Sequence, residues 1–312
     1  MKYIFFLLFA FTNFYSFSQT AEQLSQKAVE AGNANDNKTA LKLIDKAIKI
    51  NPSNSRYYCI KALAFYNNGE LKNSLETLKS AEQLFPNDAN IYLLRANIFS
   101  NESALDYALR ECNIAFDLAQ DDTLKQSILL LRSVIKINSR NYNGAYEDLK
   151  AILKLDSNNV GALINLGGVC GEIGKNDETL HYLKRALEID STAYGAYANI
   201  GWVYQEQGDY KTAIEYYTKY INSDNDDAAI GYSNRAYNRL KLGDIKGAEE
   251  DVALSIKLLP KNAYVYKVRG LIYLEQNQKD KACEAFKTAI DQGYTQLYGN
   301  EVLDLQKKNC AD

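Results

Sequence analysis

Proline is close to absent from this chain of 312 residues, occurring three times, as Pro52, Pro86 and Pro260. Proline lacks an amide donor and breaks helix interiors, so its scarcity leaves long stretches free to be helical. Histidine occurs once, as His181. That excludes a metal site built on several imidazoles and leaves no second candidate base for a nucleophilic triad. His181 falls on a solvent-facing helical phase and reads as a surface residue. No CxxC pair, GxSxG string or P-loop is present. The glycines of GALINLGGVCGEIG (residues 161–174) follow no strand, so they do not read as a phosphate loop. Neither charge sign dominates: 36 Lys and Arg stand against 39 Asp and Glu, a net charge of −3. A phosphate backbone needs concentrated Lys and Arg, and an anionic membrane needs a polybasic run, so neither is an expected partner. Carboxylate runs such as Glu249–Glu250–Asp251 and Asp226–Asp227 read as solvated charge. No catalytic, metal or cofactor site is expected.

What is present is a period. Pro52 and Pro86 are 34 residues apart, and Pro260 lies five such periods further on with four residues over. A repeat of this length signals stacked supersecondary units. Each unit reads as helix, tight turn, helix. In the sixth, Tyr197, Ile200, Gly201 and Tyr204 form one helical stripe, and Ala213, Tyr217 and Tyr220 form the next after Gly208. The frame opens at residues 21, 55, 89, 126, 160, 194, 229 and 263, with three extra residues near 120–123 and one near Asp224. The units are therefore 21–54, 55–88, 89–125, 126–159, 160–193, 194–228, 229–262 and 263–296, with a capping segment at 297–312.

Small residues hold one register in the first helices: Ala28, Ala62, Ala96, Ser133, Gly167, Gly201, Ala236 and Gly270. Ala40, Ser74, Ala108, Ala145, Thr179, Ala213, Ala248 and Ala282 do so in the second. Such slots mark helix crossings, because helices approach closely only where side chains are small. Gly69, Gly174, Gly208 and Gly243 stand where first helices end, the place for a left-handed residue. The prolines stand where second helices close.

This pattern resembles the tetratricopeptide repeat and covers nearly the whole chain beyond the N-terminus. Unit six matches with Gly201, Tyr204, Gly208, Tyr210, Ala213 and Tyr217, and unit five with Leu163, Leu166, Gly167, Gly174, Leu183 and Ala186. Units one and four depart from it, at Ala31 and Ile152. The resemblance implies an all-α solenoid, a right-handed superhelix of about eight helix-turn-helix units. It implies that first helices line a concave groove that takes extended peptides or partner helices. The inward phase then carries Asn165, Asn199 and Asn234, whose amides could donate to and accept from a peptide backbone. Around them fall Ile164, Ala198, Trp202, Gln205, Tyr237 and Lys267, with Trp202 an anchor candidate. Gly161, Gly168 and Gly171 would lower the groove wall there. In units two to four the same phase is an apolar floor of Cys59, Leu63, Leu93, Asn97, Leu130 and Val134, suited to an amphipathic helix.

The first 18 residues read as a signal peptide: Lys2, an apolar run over residues 4–11, and Ser16 and Ser18 before a cut after Ser18. An uncleaved anchor is the alternative, but Thr12 and Asn13 interrupt a run already short of the roughly 20 residues a span needs. The expected setting is extracytoplasmic, periplasmic or secreted, and oxidising. Of five cysteines, Cys59, Cys112 and Cys170 fall at packing slots. Residues 297–309 read as a capping helix folding back on the last second helix. That brings Cys310 beside Cys283, so a disulfide is expected, with two thiols as the alternative. The leading expectation is a non-catalytic scaffold that binds a protein or peptide in its groove. The alternative is a spacer or assembly factor of a cell-envelope or secretion complex, acting through its convex face or ends.

Overall fold

The computed structural model describes residues 20–223 and 227–310, and all its regular elements there are helices. The leader at residues 1–18 and the extra residue near Asp224 lie outside the described residues. The architecture is an all-α repeat of antiparallel helix pairs in series, falling into two compact units. The first extends to Ile135 and holds α1 (Ala21–Asn33), α2 (Asn37–Ile50), α3 (Ser55–Asn67), α4 (Leu71–Leu84), α5 (Ala89–Asn101), α6 (Leu105–Leu118) and most of α7 (Asp122–Asn138). The second begins at Lys136 and holds α8 (Tyr142–Leu155), α9 (Val160–Glu172), α10 (Asn176–Ile189), α11 (Tyr194–Glu206), α12 (Tyr210–Asn222), α13 (Ala228–Lys241), α14 (Ile245–Leu258), α15 (Ala263–Glu275) and α16 (Lys279–Asp291). Two short helices follow, α17 (Tyr294–Tyr298) and α18 (Glu301–Cys310). The three residues left over near 120–123 lengthen α7 to 17 residues, where α3, α5 and α9 have 13.

Helix ends are set locally. Side-chain oxygens of Thr20, Asn54, Asp88, Asn159 and Asn262 cap first helices, and those of Asp36, Asn141, Asp209 and Asp244 cap second helices. Each accepts from a backbone amide that the helix itself leaves unbonded. Between the two helices of every pair stands one left-handed residue: Asn35, Gly69, Ser103, Arg140, Gly174, Gly208, Gly243 or Asn277, with φ from 57° to 80°. Four are the expected glycines. Ser103 and Arg140 hold the same conformation against the preference of a residue with a Cβ.

All sixteen small crossing residues are buried. A Cβ on Gly167 would lie 2.6 Å from Leu183 Cγ, and one on Gly201 would lie 3.0 Å from the Tyr217 ring. Ser74 Oγ donates to the Ala62 carbonyl at 2.7 Å across the same crossing in the first unit. The proline slot has a recurring partner: Tyr58, Tyr92 and Tyr266 donate their hydroxyls to the carbonyls of Pro52, Pro86 and Pro260 at 2.9–3.1 Å. Tyr197 does the same to Ser191 at 2.9 Å, so the contact belongs to the slot and not to proline.

Two readings are corrected. Asp251 is not solvated. It is 1% exposed and accepts two hydrogen bonds from Arg235, at 2.7 and 2.8 Å, so its helix phase faces the neighbouring first helix and not water. Arg95 and Glu111 make the equivalent pair in the first unit at 2.7 Å. The capping segment is also not one helix over 297–309. Gly299 has φ +84°, which ends α17 and lets α18 start afresh at Glu301. Cys283 on α16 and Cys310 at the end of α18 are joined by a disulfide, with Cα atoms 5.7 Å apart. Cys59, Cys112 and Cys170 remain thiols. No helix among the described residues is long and apolar enough to cross a membrane.

Candidate functional site

In the second unit the first helices α9, α11, α13 and α15 carry the residues that the repeat phase points to one face. Asn165, Asn199 and Asn234 occupy equivalent positions on α9, α11 and α13, each half-buried. Asn234 Nδ2 donates to the Ile230 carbonyl at 3.1 Å, a bond inside its own helix. Asn199 leans toward α9, where a Cβ on Gly168 would stand 3.8 Å from its Nδ2. Trp202, one turn on, lies over Gly171, whose Cβ would be 3.4 Å from its ring. The two glycines thus leave room for the amide and the indole on one side of α11. Trp202 remains 43% exposed. Ile164 lies against Gly195, and Ala198 is half-buried beside Asn199.

Four of the six candidate binding residues meet in one cavity of about 450 Å³: Trp202, Asn234, Tyr237 and Lys267. Gln205, Ile230 and Ser233 complete that wall. Asn165 and Asn199 are not part of it: Asn199 lies one turn earlier on α11, and Asn165 lies on α9, which contributes nothing to the cavity. Lys267 is no open cation. It is 5% exposed, and its ammonium is held by Glu301 at 2.7 Å, from the first turn of α18. Tyr237, Tyr264 and Tyr294 surround that ammonium, with ring centroids at 5.1, 5.1 and 5.9 Å. The ring faces are electron-rich and replace part of the lost hydration. Tyr294 donates its hydroxyl to the same Glu301 oxygen at 2.9 Å. Burial raises the phenol pKa of Tyr264 and Tyr294 well above the ordinary value, with Glu301 adding to the rise for Tyr294. Both rings therefore stay neutral at any physiological pH.

Glu301, Tyr264, Tyr294 and Tyr298 also line the cavity, although none is among the residues expected from the repeat phase. One signal was available. Lys267 and Glu301 are separated by 34 residues, one period, so the frame extended past the last unit lands on the partner. Behind the wall, Asn238 donates to the Gln205 side chain at 2.7 Å and, within its own helix, to the Asn234 carbonyl at 2.8 Å, so it fixes the Gln205 amide.

The tetratricopeptide repeat family matches residues 26–89, 159–226 and 263–292, together more than half of the chain. The chain belongs to the tetratricopeptide repeat family. No curated protein matches its sequence. Among solved structures, the APC/C hetero-tetramer Cut9–Hcn1 superposes with a TM-score of 0.67 at 16% identity, covering 93% of this chain and 56% of that one. Yeast Tom70 gives 0.62 at 17% identity, covering 96% and 66%. A tetratricopeptide repeat protein of Parabacteroides merdae gives 0.52 at 21% identity, covering 92% and 98%. The chain thus spans little more than half the length of the first of these. At such identities the likeness is one of fold.

The first unit of this tetratricopeptide repeat protein has a separate cavity, of about 500 Å³. Cys59, Leu63, Leu93 and Asn97 of the expected apolar floor line it, joined by Ile60 and Leu94, with Arg56 and Asp88 at the rim. Leu130 and Val134 lie outside it. Burial, and then Asp88, pushes the Cys59 thiol up to about 12, so it stays protonated and packs as an apolar group.

Proposed function

We propose that this chain is a non-catalytic scaffold that binds an extended peptide segment of a partner protein on the first-helix face of its second unit. One observation carries the reading. Trp202, Asn234, Tyr237 and Lys267, from three successive first helices, line a single cavity. The face continues past that cavity through Asn199 to Asn165. An amide both donates and accepts, so a row at one-unit spacing suits a strand whose backbone groups are otherwise unbonded. Trp202 offers a large half-exposed ring to a side chain of that segment, as interface anchors do. Gln205 is held in place by Asn238, and the Asn234 side chain by the Ile230 carbonyl, which lowers the ordering cost of binding. The setting is extracytoplasmic. The apolar N-terminal pattern supports this, and so does the disulfide, which belongs to oxidising compartments.

Peptides selected from a random library on the full chain test the reading. Asn199→Ala and Trp202→Ala are expected to weaken the selected peptides by about tenfold or more each, in line with the loss of an interface anchor. Helix content should remain that of the parent. Unchanged affinity in both variants would move recognition to the apolar cavity of the first unit or to the outer face.

A further inference from the structure

The last wall of the second unit's cavity lies past the final helix pair, α15 and α16. It consists of Tyr294 and Tyr298 of α17 and Glu301 of α18. α17 is anchored by one side chain, Tyr294, which is 1% exposed and packs in the cluster of Phe286 and Val302, while Tyr298 keeps half of its ring in solvent. α17 has five residues and α18 ten, both below the roughly 12–15 at which an isolated helix becomes stable in water. In α18 one side chain, Val302, is fully buried, with Leu305 and Cys310 partly so. Glu301, at the other end of α18, reaches Lys267 but keeps half of its side chain in solvent. The covalent restraint at the far end of the segment is the Cys283–Cys310 bond. Both cysteines are half-buried, not sealed, so the bond lies within reach of another thiol.

We infer that the Cys283–Cys310 disulfide is a redox latch that sets whether the cavity of the second unit is walled or open. Its opening step is thiol–disulfide exchange with a dithiol, small or protein-borne. One thiolate of the dithiol attacks a sulfur of the bond and forms a mixed disulfide, releasing the other cysteine. The second thiol of the dithiol then attacks the first thiol's sulfur in that mixed disulfide and displaces the remaining cysteine. The dithiol leaves oxidised, and its two electrons and two protons end on Cys283 and Cys310. Residues 292–310 are then tethered at one end only. Closing a tether of about 20 residues is worth roughly 200-fold in the ratio of docked to undocked states, and reduction removes that factor. When α18 leaves, Lys267 loses its carboxylate, Tyr294 and Tyr298 leave the wall, and one side of the peptide site is gone. The consequence for binding rests on the peptide-site reading above. The opening itself does not.

The test uses the full chain with the bond intact, after treatment with dithiothreitol, and as the Cys283→Ser/Cys310→Ser double variant. Hydrogen exchange follows residues 294–310, and acrylamide quenching follows Trp202, the one tryptophan, which lines the same cavity. Reduction should speed exchange over 294–310 by on the order of 100-fold while α9–α15 keep their protection, and should raise Trp202 quenching. The double variant should behave as the reduced chain and ignore dithiothreitol. Library-selected peptides should bind the reduced chain more weakly. Equal protection of 294–310 in both redox states, or Trp202 quenching that reduction leaves unchanged, overturns the latch. Neither readout uses a peptide, so an opening cap with no selectable peptide would refute the binding proposal and leave the latch standing.

Discussion

Replacing Ser103 or Arg140 with glycine should stabilise this protein, although both side chains are exposed and neither change adds a contact. Each residue turns a helix pair with φ near 59°, in the slot that Gly69, Gly174, Gly208 and Gly243 fill elsewhere. A Cβ in that conformation crowds its own backbone and costs about 1–2 kcal/mol. Glycine removes that cost but loses about 0.5–1 kcal/mol through its freer unfolded chain. The net gain is about 0.5–1 kcal/mol per site. Packing does not confuse the result, because a Cβ built on any of the four glycines meets nothing within 4 Å. Urea titration followed by circular dichroism should place the midpoint of Ser103→Gly and of Arg140→Gly about 0.2–0.3 M above the parent, with the slope unchanged. Gly208→Ala should move it the other way by a similar amount. A midpoint that falls or stays fixed in both glycine variants would refute backbone strain as the cost that Ser103 and Arg140 carry at this slot.

Two further outcomes follow from charge. Glu301→Gln leaves a buried ammonium with rings but no carboxylate, whereas Lys267→Met leaves a carboxylate that water already half surrounds. The first should therefore cost more stability, about 1–2 kcal/mol, and the order of the two urea midpoints checks it. Asp36 and Asp209 each cap a second helix, and hydrogen bonds from Thr39 and Thr212 hold their carboxyls below the ordinary 3.8. A lowered folded pKa means stability that is present above 3.8 and lost as pH falls through the folded value. Asp209→Asn should flatten part of the acid limb in a series of midpoints taken below pH ~5.

The fold could be read from the sequence because one slot recurs. Sixteen small residues in two registers fix where paired helices cross, and no other arrangement explains Gly167, Gly201 and Gly270 each facing a large residue of the following helix. Half of the turns were legible for the same reason, since glycine advertises a left-handed backbone. Ser103 and Arg140 do not, because nothing in their chemistry asks for that conformation; the length of the connection imposes it. Of the residues that line the cavity, Trp202, Asn234 and Tyr237 follow from register together with the inward phase that the tetratricopeptide resemblance implies. Lys267 shows where that reasoning stops. Helix phase puts it on the open face, and its burial comes from Tyr294 and Glu301, which lie past the last helix pair and close over it. Asp251 misled in the opposite direction: its neighbours Glu249 and Glu250 are exposed, and the partner that buries it, Arg235, is a whole helix away.

Recognition on the first-helix face is the claim on which the functional account stands. A photoreactive residue placed at Ile230, which is exposed in the cavity wall, and in a second variant at His181, exposed on α10, tests it against a labelled library-selected peptide. The account predicts cross-linking from position 230 and none above background from 181. Cross-linking from 181 alone would contradict it.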